Sequence, residues 1–165
     1  MTDHDRTDPA ETEASSGPKA GLTRLEVVER LRAAGVPSPE ADARWLLEGF
    51  PSNPAALADA VIRRERREPL QLILGTAPFR WIEVEVAAGV FVPRPETEVL
   101  AGLAIDRLTD GAIVIEPCTG TGAISCAIAH ETGASRIVAT DINPRAVALA
   151  RRNARPHPQV EVHHA

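Results

Sequence analysis

The feature that most constrains this chain is a β-branched run that breaks into a glycine loop. Ile113-Val114-Ile115 leads into Glu116-Pro117-Cys118-Thr119-Gly120-Thr121-Gly122, and Ala123, Ile124, Ala127 and Ile128 follow at helical spacing. A continuous apolar run predicts a strand buried on both faces, as in a parallel sheet. Gly120 and Gly122 allow a tight turn and let a ligand approach the main chain. The first turn of the following helix offers unpaired N–H groups and the positive end of the helix dipole, a place for an anion. A second strand, Arg136 to Thr140, ends at Asp141, 25 positions after Glu116. A carboxylate there can accept both hydroxyls of a ribose. Asn143-Pro144 caps a further helix with Val147 and Leu149 inside, and Val160-Glu161-Val162 begins a third strand. Alternating strands and helices of this kind give an α/β fold with a parallel sheet.

The chain before this unit reads differently. Thr23 and Glu26 form a capping pattern, and Leu25, Val27, Val28 and Leu31 follow as an apolar face that Gly35 stops. Ser38-Pro39 opens a second helix with Ala43, Leu46 and Leu47 facing inward, and Gly49 with Pro51 ends it. Asn53-Pro54 opens a third, with Leu57, Val61 and Ile62 inside and Arg63, Arg64, Arg66 and Arg67 crowding its end. Those arginines complement the helix dipole, the alternative being an RNA contact. From Pro69 the pattern turns to β-type alternation, with Ile82, Val84 and Val86 on one face and Glu83 and Glu85 on the other. A helix from about Glu96 follows, with Val99, Leu100, Leu103 and Leu108 turned toward a core. The predicted organisation is a disordered acidic tail over 1–20, a helical domain over 21–67, a β-hairpin linker over 68–90 and the α/β unit over 91–165.

Composition narrows the function classes. The formal net charge of -5 gives no reason to expect nucleic-acid binding. Cys118 and Cys126 form no Cys-x-x-Cys pair, and the five histidines stand in no zinc-type arrangement with them. No metal site is therefore expected, and a reducing, cytoplasmic setting fits two unpaired cysteines. No apolar run approaches a membrane span, and the first 20 residues lack the pattern of a signal peptide.

Two ligands suit the glycine loop. A dinucleotide needs Gly-x-Gly-x-x-Gly, and here Ser125 stands where the third glycine belongs. S-adenosylmethionine has no pyrophosphate and asks the loop to hold only its amino-acid part. It is the better match to Glu116-Pro117-Cys118-Thr119-Gly120-Thr121-Gly122, with Asp141 placed for the ribose.

Four segments resemble the release-factor glutamine N(5)-methyltransferases of HemK type. They are Arg67-Glu68-Pro69-Leu70-Gln71-Leu72-Ile73-Leu74-Gly75, Val92-Pro93-Arg94-Pro95-Glu96-Thr97-Glu98, Glu116 to Ile124, and Ala139-Thr140-Asp141-Ile142-Asn143-Pro144 with Ala148 and Asn153. The resemblance runs from about Leu22 to the end. It implies a small helical domain, a hairpin linker and the first half of a Rossmann-like S-adenosylmethionine-dependent methyltransferase sheet. It implies that Cys118 to Gly122 wraps the methionine part of the cofactor and that Asp141 takes its ribose. Pro93 to Thr97 would line the pocket mouth, Glu116 would organise the loop, and the helical domain would grip a protein substrate. The substrate implied is a glutamine side chain of a peptide-chain release factor. A ribosomal protein, another peptide or a small molecule are alternative acceptors, and a non-catalytic cofactor-binding remnant is the alternative from another class.

Two departures stand out. Cys118 replaces the glycine usually first in the loop, which is tolerable if that residue needs no positive φ. The family's catalytic Asn-Pro-Pro-Tyr run is absent from this sequence, so no catalytic residue is assigned. The chain by itself is expected to be catalytically silent. Ile113, Ile115, Ile137 and Val138 are expected to lack part of their cover, since only three strands of a sheet that commonly has about six are visible.

Overall fold

The computed structural model describes residues 21–165; the expected tail over 1–20 lies outside the described residues. Three helices come first: α1 (Arg24–Ala33), α2 (Pro39–Gly49) and α3 (Pro54–Glu65). The capping box closes as expected. Glu26 N–H donates to Thr23 Oγ1 at 3.3 Å while the Glu26 carboxylate accepts the Thr23 N–H at 2.7 Å. Asn53 caps α3 through the Ala56 N–H at 3.0 Å, but Ser38 makes no such side-chain bond at α2. Val27, Leu31, Ala43, Leu46, Leu57 and Val61 form one shared core. Leu25 and Ile62, expected inside, are exposed. Each lies a position beside the buried stripe of its helix, and a bundle this small covers only one stripe.

The arginines at the end of α3 are taken up inside this domain. Arg64 Nε lies 2.7 Å from Asp42 Oδ2, with both side chains mostly buried, and Arg64 Nη1 donates to the Glu68 carbonyl at 2.8 Å. Arg63 pairs with Glu68, and Arg67 donates to the Gly35 carbonyl. These bonds tie α3 to α2 and to the α1–α2 turn.

The segment expected as a hairpin linker begins with a short helix, α4 (Leu70–Leu74), which the β-type reading missed. Gly75 ends it in the left-handed region at φ 81°. The hairpin pairs β1 (Thr76–Phe79) with β2 (Ile82–Glu85) antiparallel, Phe79 opposite Ile82. Val84 and Val86 are buried and Glu83 and Glu85 exposed, as the alternation required. The hairpin does more than link. Phe79 and Val84 share a core with Ala101, Ala123 and Ala127 of the α/β unit, and Arg80 makes two 2.7 Å bonds to Glu131.

The α/β unit comprises α5 (Pro95–Ile105), β3 (Ile113–Pro117), α6 (Ala123–Glu131), β4 (Arg136–Asp141), α7 (Pro144–Asn153) and β5 (Val160–His164). The strands form a parallel sheet in the order β3-β4-β5, with Glu116 opposite Ala139 and Ala139 opposite Val162. Helices α6 and α7 touch each other and pack on the sheet through Cys126, Ala139, Val147, Ala150 and Val162. Among the described residues no helix is long and apolar enough to cross a membrane.

Two core assignments are corrected. Strand β3 is not buried on both faces: Ile113 is 68% and Ile115 72% exposed, in keeping with the expected lack of cover over them, whereas Ile137 on β4, expected to share that lack, is fully buried. Nothing among the described residues covers the sheet face opposite α6 and α7 at β3. Val99, Leu100 and Leu103 of α5, expected to face a core, are also exposed, because α5 packs through Ala101 alone at full burial.

The Arg64–Asp42 pair yields a stability test. Substituting Asp42→Ala leaves a mostly buried guanidinium without its carboxylate, and hydrogen bonds to charged groups contribute about 1.5–3 kcal/mol. Denaturant unfolding is expected to show a loss in that range for Asp42→Ala and a change within about 0.5 kcal/mol for Arg66→Ala at the exposed helix end. An equal effect of the two would separate the arginine cluster from domain stability.

Candidate functional site

The loop between β3 and α6 takes its shape from positive-φ positions and two strand-end carboxylates. Cys118, Gly120 and Gly122 have φ of 58°, 59° and 80°. The condition on Cys118 is therefore not met. It adopts the left-handed conformation that explains a glycine there, at a cost that a non-glycine residue carries. Gly122 is required twice over, since a Cβ on it would lie 3.1 Å from the Ala150 Cβ of α7. Gly120 faces open space, with nothing within 4 Å of a Cβ position.

Glu116 leaves β3 on the side of α6. Its carboxylate accepts the Ser125 N–H at 2.9 Å and the Ser125 hydroxyl. Ser125 is fully buried, so the residue in place of a third glycine earns its position through this contact. Burial raises the Glu116 carboxyl above the ordinary carboxylate range, the Ser125 hydrogen bonds oppose that rise, and Asp141 adds to it. At the end of β4, Asp141 Oδ2 accepts the Gly120 N–H at 2.8 Å and Oδ1 accepts the Asn143 N–H at 2.8 Å. Its side chain is thus engaged with the loop as well as placed at the strand end. Each oxygen keeps lone-pair capacity for a further donor. Asn143 in turn donates to the Gly89 carbonyl at 3.0 Å and caps α7 through the Arg145 N–H.

These parts border a cleft of about 240 Å³. Cys118, Thr119, Gly120 and Thr121 line it with Glu116, joined by Phe91 and Pro93 from the segment before α5 and by Thr97 in its first turn. Gly122 and Asp141 support the loop without lining this cleft. Arg94, Pro95 and Glu96 border a neighbouring depression, and the Arg94 guanidinium sits 5.3 Å from the centre of the Phe91 ring. The sequence reading missed Phe91, Ala123 and Ile124 as cleft residues; their apolar character gave no signal beyond core packing. Thr119 Oγ1 is buried beside this cleft with no hydrogen-bond partner among the described residues. Cys118 is exposed at the cleft, while burial, helped by Glu116, pushes the Cys126 thiol up to about 12. Among the described residues no three His, Cys, Asp or Glu side chains converge as a metal site would require.

Two outcomes follow from the loop. Cys118→Gly removes the left-handed penalty but frees the unfolded chain, so its stability should be unchanged or higher by up to about 1 kcal/mol. Cys118→Val, β-branched at the same φ, should lose about 1–2 kcal/mol in the same unfolding measurement. Glu116 sets a pH dependence. Its raised folded value means that the native state holds the proton where the unfolded chain has released it. Stability therefore falls as pH rises from the unfolded value through the folded one. A melting-temperature series against pH should show that fall in the wild type and a flatter profile in Glu116→Gln; parallel profiles would remove Glu116 as the cause.

Comparison with known proteins gives the following likenesses. A family described as a methyltransferase domain matches residues 114–165, which begin in β3 and include the loop. A release factor glutamine methyltransferase of Streptomyces coelicolor is 45% identical over 146 residues, covering 78% of this chain and 52% of that protein. One from Corynebacterium glutamicum is 40% identical over 149 residues, covering 81% and 53%. Among solved structures, a ribosomal protein L11 methylase from Lactobacillus delbrueckii subsp. bulgaricus overlaps 50% of this chain and 44% of its own at 26% identity and a TM-score of 0.42. The precorrin-6y C5,15-methyltransferase of Geobacter metallireducens overlaps 50% and 43% at 20% identity and a TM-score of 0.42. The chain is thus a homologue of the release factor glutamine methyltransferases and spans about half the length of the curated relatives it matches.

Proposed function

We propose that this chain holds S-adenosylmethionine in the cleft at the β3–α6 loop, as part of an enzyme that methylates a glutamine side-chain nitrogen of a peptide-chain release factor. The observation that carries the reading is the loop Cys118–Gly122, held between Glu116 and Asp141, with Ser125 filling the third-glycine position. A dinucleotide loop needs that position empty of a side chain. Here the Ser125 hydroxyl is committed to Glu116.

The residues fit the amino-acid and ribose parts of such a cofactor. Thr119 Oγ1 is a buried polar atom awaiting a partner. Ala123 and Ile124 line the cleft at the first turn of α6, where main-chain amides favour a carboxylate. Glu116, beside them, offers negative charge to an ammonium group. Asp141, at the strand end, retains acceptor capacity toward ribose hydroxyls. When bound, the cofactor supplies an electrophilic methyl group on a sulfonium. The task of the chain is to orient it, with Phe91, Pro93 and Thr97 lining the cleft beside the loop.

The domain over 21–67 serves, in this reading, as the grip on the protein substrate. Internal bonds of Arg63, Arg64 and Arg67 favour that over an RNA contact. The Asn-Pro-Pro-Tyr run that the resemblance associates with holding the acceptor amide does not occur in this sequence, and the described residues support cofactor binding and substrate docking.

Isothermal titration of S-adenosylhomocysteine and of NAD into the chain tests the choice, and tighter binding of NAD would reverse it. Asp141→Ala should weaken S-adenosylhomocysteine by roughly 10- to 150-fold, the equivalent of about 1.5–3 kcal/mol for bonds to a charged group. An affinity within about twofold of wild type would remove Asp141 from the site.

A further inference from the structure

Asn153, at the end of α7, lies outside the cleft, yet its side chain uses all its polar atoms on the main chain of two other segments. Its Oδ1 accepts the Glu85 N–H at 2.8 Å. Its Nδ2 donates to the Glu85 carbonyl at 3.0 Å and to the Thr121 carbonyl at 2.8 Å. A carboxamide has one acceptor oxygen and two N–H donors. All three directions are used, and a reversed amide would set an NH₂ against an N–H and an oxygen against two carbonyls.

The two anchoring points are informative. Glu85 ends β2, and the Asn153 amide pairs with both of its main-chain groups as a rung of a further strand would. Thr121 lies between Gly120 and Gly122, both at positive φ, where the loop has the greatest main-chain freedom. The close approach of Gly122 to Ala150 brings α7 within reach of that carbonyl. One side chain therefore clamps the hairpin and the glycine loop to the same helix. Arg152 adds a separate contact, its Nε 2.7 Å from the Glu85 carboxylate, which touches no loop atom.

We infer that Asn153 is a positioning residue that couples the β1–β2 hairpin to the glycine loop, so that ordering the loop with a ligand also orders β2. The hairpin continues directly from α4, which packs on α2 and α3, so the same clamp links the loop to the helical domain. The coupling is reciprocal: a substrate that seats the hairpin would strengthen ligand binding at the loop by the same factor. The ligand part of this inference rests on the loop being the S-adenosylmethionine site; the clamp itself does not.

Hydrogen exchange on the full chain, with and without S-adenosylhomocysteine, separates these parts. Without ligand, Asn153→Ala should speed exchange at Glu85 and at residues 120–122 by about tenfold, as expected for the loss of a neutral hydrogen bond. Amides of α1–α3 should keep wild-type rates, and Arg152→Ala should leave the loop unchanged. With ligand, Glu85 should slow in the wild type and not in Asn153→Ala. Several results would overturn the inference: a uniform rise across the chain, loop exchange unaltered by Asn153→Ala, an equal loop effect of Arg152→Ala, or ligand protection of Glu85 that survives Asn153→Ala. If the ligand protects no loop amide in the wild type, the cofactor reading fails and the predicted coupling of that ligand to β2 fails with it. The ligand-free comparison still decides the clamp.

Discussion

Two carboxylates at the ends of neighbouring parallel strands determine the shape of everything above the sheet. The register of β3 on β4 puts Glu116 and Asp141 at the same end of the sheet, on either side of the loop. Glu116 takes the N–H and hydroxyl of Ser125, fixing the start of α6. Asp141 takes the N–H of Gly120, fixing the middle of the loop. Without these acceptors a stretch with three positive-φ residues would have little to select one conformation. With them, Thr119 and the first turn of α6 are presented to a cleft.

The same constraint explains why a departure from the usual glycine is sustained. Cys118 is held at φ 58° between a strand paired to β4 and a loop anchored at Thr119, whose N–H donates to the Thr140 carbonyl at 2.9 Å. The backbone on either side is determined by bonds that do not involve the cysteine side chain. Local strain of about 1–2 kcal/mol can persist under such conditions. It is the kind of local conflict that concentrates at a binding loop.

The hairpin gains a larger part than a linker would have. Phe79 and Val84 enter the core beneath α5 and α6, Arg80 pairs with Glu131, and Glu85 is gripped by Asn153 and Arg152. The helical domain is thus attached to the α/β unit through packed and hydrogen-bonded contacts beside the loop. In the proposed function, that attachment carries the seating of a protein substrate to the site where the cofactor is held.

Much of this was legible along the chain because the signals are local. The Thr23–Glu26 capping box, the Asn53-Pro54 and Asn143-Pro144 helix starts, the alternation around Val84 and the strand-loop-helix at Gly120 depend on neighbours a few residues apart. The resemblance to the methyltransferase family rests on the same short segments. Tertiary structure alone decided which apolar faces are covered. Val99 and Leu100 carry the pattern of buried residues but are exposed, and Ile137, expected to lack cover, is fully buried, since burial depends on what else packs against a strand or helix. It alone decided the φ of Cys118, which the path of β3 into an anchored loop imposes. It alone assigned Asn153 and Asp141 their hydrogen-bond partners, because residues 68 and 21 positions apart meet only when the sheet and hairpin close together.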